Sequence, residues 1–158
     1  MSRLDFDVVI IGGGPVGCVL ALLLAHYTDQ PQRIALLQSG TSSQYGYTPE
    51  EDPRVLALNH GSRVLLESLD AWPNEAASIQ HIHVSQKGRL GRTVIRHQDF
   101  NVPQLGSVVH YPRLQTSLMQ AVRACGIALR TGLVAQVTTQ DAHSVSIAQD
   151  GQLLRSAL

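Results

Sequence analysis

Phe6-Asp7-Val8-Val9-Ile10-Ile11-Gly12-Gly13-Gly14-Pro15-Val16-Gly17 is the stretch whose reading decides the fold. Val8 to Ile11 form an unbroken β-branched run, the pattern of a parallel strand buried on both faces. The run feeds directly into Gly12, Gly14 and Gly17, which stand at G-x-G-x-x-G spacing. Gly12 permits a tight turn, Gly14 keeps a Cβ out of the path of a pyrophosphate, and Gly17 lets a following helix pack close to the strand. Pro15 suits the first helical turn, where its missing N–H has no intrahelical partner to lose. The free N–H groups and positive dipole end of that helix face the place where a diphosphate would sit. A helix over Val16–Tyr27 and a second apolar run, Ile34-Ala35-Leu36-Leu37, close a βαβ unit of about thirty residues, which predicts dinucleotide binding.

The 158 residues suffice for one domain with a real core. Twelve Lys and Arg balance twelve Asp and Glu, which leaves no electrostatic case for nucleic acid. The longest apolar stretch, Val16 to Ala25, falls well short of the roughly twenty residues that span a bilayer. It reads as a buried helix between the sheet and another layer. Residues 1–5 enter the first strand without the pattern of a signal peptide, and Cys18 and Cys125 match no metal or redox spacing. A cytoplasmic protein with buried free thiols is expected.

After the second strand, Gln38 stands where this fold usually places an acid for the ribose hydroxyls, about 20 residues past the last glycine. It reads either as a ribose contact or as an ordinary strand end. Ser39–Asp52 is polar and turn-rich, a loop. Arg54 follows at the loop's end, and Gly61-Ser62 opens a short amphipathic helix that ends near Trp72-Pro73. Ile82 and Val84 alternate with polar residues, so a half-buried strand is expected there, paired with Thr93–His97 across Gly88 and Gly91. His81 and His83 share one face of it; the choice is between a metal pair lacking a third ligand and a solvated face, and the latter is preferred. Ser107–His110 reads as a strand. Pro112 begins a helix with Leu114, Leu118, Met119 and Val122 as its apolar stripe and Gly126 as its cap. Ala128–Thr131, Val134–Thr139 and Ser144–Ala148 read as short strands. Asp150-Gly151 is a hairpin signal leading into an apolar strand, Leu153-Leu154-Arg155, that has barely begun.

Four stretches together resemble the flavoprotein aromatic hydroxylases that use FAD and a reduced nicotinamide. They are Val8–Gly17; Asp52-Pro53-Arg54-Val55-Leu56-Ala57-Leu58 with Gly61-Ser62; Ile82-His83-Val84-Ser85 running on to Gly88 and Gly91; and Leu105-Gly106-Ser107-Val108-Val109 before the Leu114–Leu118 helix. Within that family the likeness is greatest to the branch that hydroxylates a prenylated phenol in ubiquinone biosynthesis. The resemblance implies an α/β fold, with a Rossmann-like FAD-binding βαβ core over 5–38, a parallel sheet, and a small antiparallel segment inserted over about 79–110. It implies that Gly12, Gly13, Gly14, Pro15, Val16 and Gly17 hold the FAD diphosphate and that Gln38 and Ser39 face the adenosine ribose. By the same likeness Arg54 contacts the cofactor beside the flavin, and the backbone at Val134 lies near the adenine. Gln38 departs from the family's usual Glu.

The implied reactants are FAD, NADPH or NADH, molecular oxygen and a prenylated phenol. The flavin carries the redox chemistry, so no catalytic acid or base and no metal ligand is named. Peripheral contact with the inner membrane, to collect a prenylated substrate, and self-association are left open by the resemblance. The family's Gly-Asp-Ala segment and long substrate-covering sheet have no counterpart here. The expectation is therefore an amino-terminal fragment, incomplete at its carboxy end, that is inactive alone. Two other readings stand beside this one: a different FAD- or NAD(P)-dependent oxidoreductase, and a non-catalytic nucleotide-binding module.

Overall fold

The structure, a computed structural model, describes residues 4–40, 52–88, 90–132 and 134–157. Its centre is β2 (Ile34–Ser39), which pairs in parallel with β1 (Val8–Ile11) on one side and β8 (Ala128–Gly132) on the other. The four residues Ile34 to Leu37 are all buried, because β2 is covered on both faces. Ile34 and Leu36 join one core with Ile10, Cys18, Leu22, Leu114, Leu118 and Val122. Ala35 and Leu37 join a second with Phe6, Ile147 and Leu154. Such alternation into two cores is what a continuous apolar run in a central strand provides.

The first core is closed by two helices, α1 (Pro15–His26) and α3 (Tyr111–Ala124), packed against each other. On α3 the expected stripe of Leu114, Leu118, Met119 and Val122 is buried, and Gly126 follows the helix with φ 84°. The second core is closed by an antiparallel sheet, ordered β11-β10-β9, of β9 (Gln136–Gln140), β10 (Ser144–Gln149) and β11 (Gln152–Ala157). Asp150 and Gly151, at φ 51° and 74°, form the hairpin turn between β10 and β11. The strand at Leu153–Arg155 is longer than the sequence suggests: it lies within the six-residue β11, every residue of which pairs with β10. Its far edge reaches back to the chain start, where the amides of Asp5 and Phe6 donate to Arg155 O and Phe6 bridges Ser156 in parallel. Helices, a parallel sheet and an antiparallel sheet thus form three layers.

A second antiparallel sheet, β3-β7-β4, joins β3 (Val55–Asn59), β4 (Ala77–Ile79) and β7 (Gly106–His110). Between β3 and β4 lies α2 (His60–Ser68), which begins where Asn59 Oδ1 accepts the Ser62 amide at 2.7 Å. It ends four residues before Trp72: after Leu69, Asp70 takes φ 52°, which α-helical geometry excludes. The ribbon of β5 (His81–Ser85) and β6 (Arg92–Arg96) pairs as expected. It is not half-buried, however: every residue of β5 is exposed, because no other layer packs on it among the described residues. One edge contact is made by His81, whose ring meets that of His97 with centroids 6.4 Å apart. Cys18 is buried, whereas Cys125 is only partly so. The loop expected over Ser39–Asp52 lies, for 41–51, outside the described residues, and Ser39 itself ends β2.

Candidate functional site

The turn between β1 and α1 is shaped by its three spaced glycines, each in a different way. Gly12 takes φ +117°, a conformation that side chains disfavour. A Cβ on Gly17 would stand 1.9 Å from Gly12 O, so only glycine lets α1 approach the turn this closely. A Cβ on Gly14 would meet nothing within 4 Å: the turn is open in front of it. Gly14 is also the N-cap of α1 and offers no side chain to the first helical amides, which face the same opening. An anion of diphosphate size fits this cradle of bare backbone, open space and helix N-terminus.

Gln38, near the end of β2, lies against the turn; a Cβ on Gly13 would come within 2.8 Å of its Cγ. The structure therefore places Gln38 beside the glycines, with Ser39 exposed next to it. Val134 is not in a strand as expected. It sits in the connection between β8 and β9, 63% exposed, because β9 does not start until Gln136.

Arg54 precedes β3 and is paired with Asp52, two residues before it in the chain. Its Nε lies 2.9 Å from both Asp52 oxygens, its Nη2 donates to Asp52 Oδ2 at 2.5 Å, and its backbone amide donates to Asp52 Oδ1 at 3.0 Å. The Arg54 guanidinium rests 3.9 Å above the Tyr111 ring, a cation–π arrangement. Hydrogen bonding from Arg54 holds the Asp52 carboxyl below the usual carboxylate range, and Asp52 in turn raises Arg54 further above its already high value. The pair fixes where a half-exposed guanidinium stands.

Tyr111 also lines an apolar groove of about 620 Å³ that starts at the glycine turn with Pro15 and Val16 and runs past Leu20, Leu56, Leu58 and Leu65. Val16 is 84% exposed, so α1 is covered on one side and open on the other rather than sandwiched as expected. Glycine turn, groove and Arg54–Tyr111 pair form one continuous surface.

Sequence reading missed Asp52, Tyr111 and Gln115. Gln115 Nε2 donates to Gly13 O at 2.5 Å from α3, a hundred residues away in the chain. Its signal was present: Gln115 precedes Leu118, Met119 and Val122 at helical spacing, a polar residue on an apolar stripe.

No family model matches the chain. The mitochondrial ubiquinone biosynthesis monooxygenase of Drosophila melanogaster is 41% identical over 73 residues, 45% of this chain and 15% of the relative. The 3-demethoxyubiquinol 3-hydroxylase of Escherichia coli is 26% identical over 129 residues, 78% of this chain and 32% of the relative. The chain is thus similar in sequence, over part of its length, to ubiquinone-biosynthesis monooxygenases. It spans between 15% and 32% of the length of these two monooxygenases. Among solved structures, p-nitrophenol 4-monooxygenase from Pseudomonas putida aligns over 99% of this chain and 40% of its own, at TM-score 0.61 and 16% identity. CtdE, solved in complex with FAD, aligns over 96% of this chain and 36% of its own at TM-score 0.56 and 16% identity. At that identity the structural likeness establishes the fold alone, the α/β architecture that these two proteins share.

Proposed function

We propose that the chain supplies the diphosphate-binding part of the FAD site of a monooxygenase that hydroxylates a prenylated phenol in ubiquinone biosynthesis, as 2-polyprenyl-6-methoxyphenol hydroxylase does. One observation carries the reading: the glycine cradle is open, bare of side chains and backed by a helix N-terminus, in a chain whose curated relatives include ubiquinone-biosynthesis monooxygenases. Residues 12–17 hold the diphosphate, Gln38 and Ser39 meet the ribose, Arg54 stands at the flavin end, and Val134 lies toward the adenine. Bound FAD supplies electron transfer from NADPH or NADH and the activation of oxygen.

What the residues here do is bind and orient. The turn donates amides to the phosphates, and Asp52 and Tyr111 hold the Arg54 guanidinium at one position. The apolar groove keeps water away from that end of the site. The described residues supply the backbone cradle for the phosphates and one apolar wall but do not close over the flavin ring, so turnover requires further covering segments, and this stretch is a partial FAD-binding domain with its core over 5–38. The prenyl group of the substrate gives a reason for the enzyme to touch a membrane surface. No helix among the described residues is long and apolar enough to cross a membrane.

The test is flavin binding followed by oxygen transfer. FAD fluorescence is expected to be quenched on titration with the protein and to stay unquenched with Gly14→Val. In protein that carries the covering segments, isotopically labelled dioxygen should appear in the phenol ring only when a reduced nicotinamide is present. Absence of any flavin interaction overturns the cofactor assignment. Flavin binding with reduction by an alcohol or amine instead of a nicotinamide overturns the reaction class.

A further inference from the structure

Gly13 O points away from the cradle into the protein, where Gln115 Nε2 donates to it at 2.5 Å and Cys18 Sγ lies 3.3 Å off. Carbonyl and amide of one trans peptide point in opposite directions, and no peptide among the described residues is cis. Drawing Gly13 O inward therefore turns the Gly14 N–H outward, toward the open side where the diphosphate is placed. We infer that Gln115 is a positioning residue of the phosphate site, which sets the Gly13–Gly14 peptide so that the Gly14 amide faces the anion; this rests on the diphosphate reading above.

Packing alone does not account for an amide here. Gln115 Oε1 is shut off from solvent and has no hydrogen-bond partner, a cost that leucine or methionine in the same stripe would avoid. The single bond that the side chain makes is the one to Gly13 O, apart from a long 3.9 Å approach of its Nε2 to Cys18 Sγ. Cys18 is the titratable group set against it, and burial pushes that thiol up, so it stays neutral at physiological pH and below.

The experiment uses isotope-labelled glycine amides in the chain, titrated with ADP and followed by nuclear magnetic resonance, which reads weak binding and needs no turnover. In the native chain the Gly14 amide signal should shift on titration. Gln115→Leu should weaken ADP binding by about tenfold, as expected when a donor to the peptide is lost. Gln115→Glu has nearly the same shape, but as a carboxylate it cannot donate. Its binding should be equally weak at about pH 7.5 and recover toward about pH 5, as the carboxyl, raised by burial and the facing carbonyl, gains a proton to donate. Gln115→Leu should show no such recovery, which a purely structural role would not produce. Native-like titration by both variants at all pH values overturns the inference while sparing the diphosphate reading. A native chain whose glycine amides ignore ADP overturns both.

Discussion

An anion cradle needs room in front of it and support behind it, and here these fall on neighbouring glycines with opposite sensitivities. Gly14→Val fills open space, so it should remove FAD or ADP binding while the melting temperature stays near native; retained affinity would count against the site. Gly17→Ala places a methyl 1.9 Å from Gly12 O, so it should lower the melting temperature before any ligand is added. At Arg54, replacement by Ala should weaken FAD binding by about tenfold, and unchanged affinity would make its pairing with Asp52 purely structural. That pairing has a pH signature. Arg54 depresses the Asp52 carboxyl in the folded protein, so its stabilising effect is full above the unfolded value of about 3.9 and fades as pH falls through the lower folded value. The difference in melting temperature between native protein and Asp52→Asn should therefore be flat at neutral pH and shrink in acid. The glycines were legible in the sequence because each requirement is local to the turn. Tyr111 was not, and Gln115 only as a polar residue on an apolar stripe, since what matters in both is a partner that only the tertiary fold brings near.

Among the elements, β2 carries the most, because it is the strand shared by two cores. Leu36 is 0% exposed between β2 and the helices. Leu36→Ala should cost about 2–5 kcal/mol by chemical denaturation, the range for a buried leucine whose cavity cannot collapse; a cost under about 1 kcal/mol would show that the helical layer closes over the gap. Continuous apolar runs announced β1 and β2 as strands and helical periodicity announced α3, but the run did not give burial: Ile34 to Leu37 of β2 are all buried, whereas β1, at the sheet edge, buries only Ile10 and leaves Ile11 47% exposed. Alternation at Ile82 and Val84 was less informative. It distinguishes two faces of a strand but does not say that anything covers either, and here nothing among the described residues does. The six-residue extent of β11 was hidden for a related reason: its pairing depends on a hairpin partner and on Phe6 at the opposite end of the sequence.

At the scale of the whole molecule, apolar surface stays open among the described residues in the groove beside the glycine turn and in a smaller one of about 330 Å³ where β1 lies uncovered beside Val137, Val145 and Ile147. The 158-residue chain should therefore bind FAD weakly and bind an apolar dye such as anilinonaphthalene sulfonate in its native state. It should also self-associate through the β1 edge, with a sedimentation coefficient that rises with concentration; stoichiometric tight FAD in a concentration-independent monomer would contradict this. The tie between Asp5 and Arg155, in which each residue's backbone amide donates to the other, joins positions 150 apart in the chain. During synthesis at roughly 5–20 residues per second, Asp5 leaves the ribosome on the order of ten seconds before its partner. For that interval Phe6 has no Leu154 to lie against and β1 has only part of its layer. Until β11 emerges the first strand is therefore available to chaperones, and the three layers close only with the arrival of that strand.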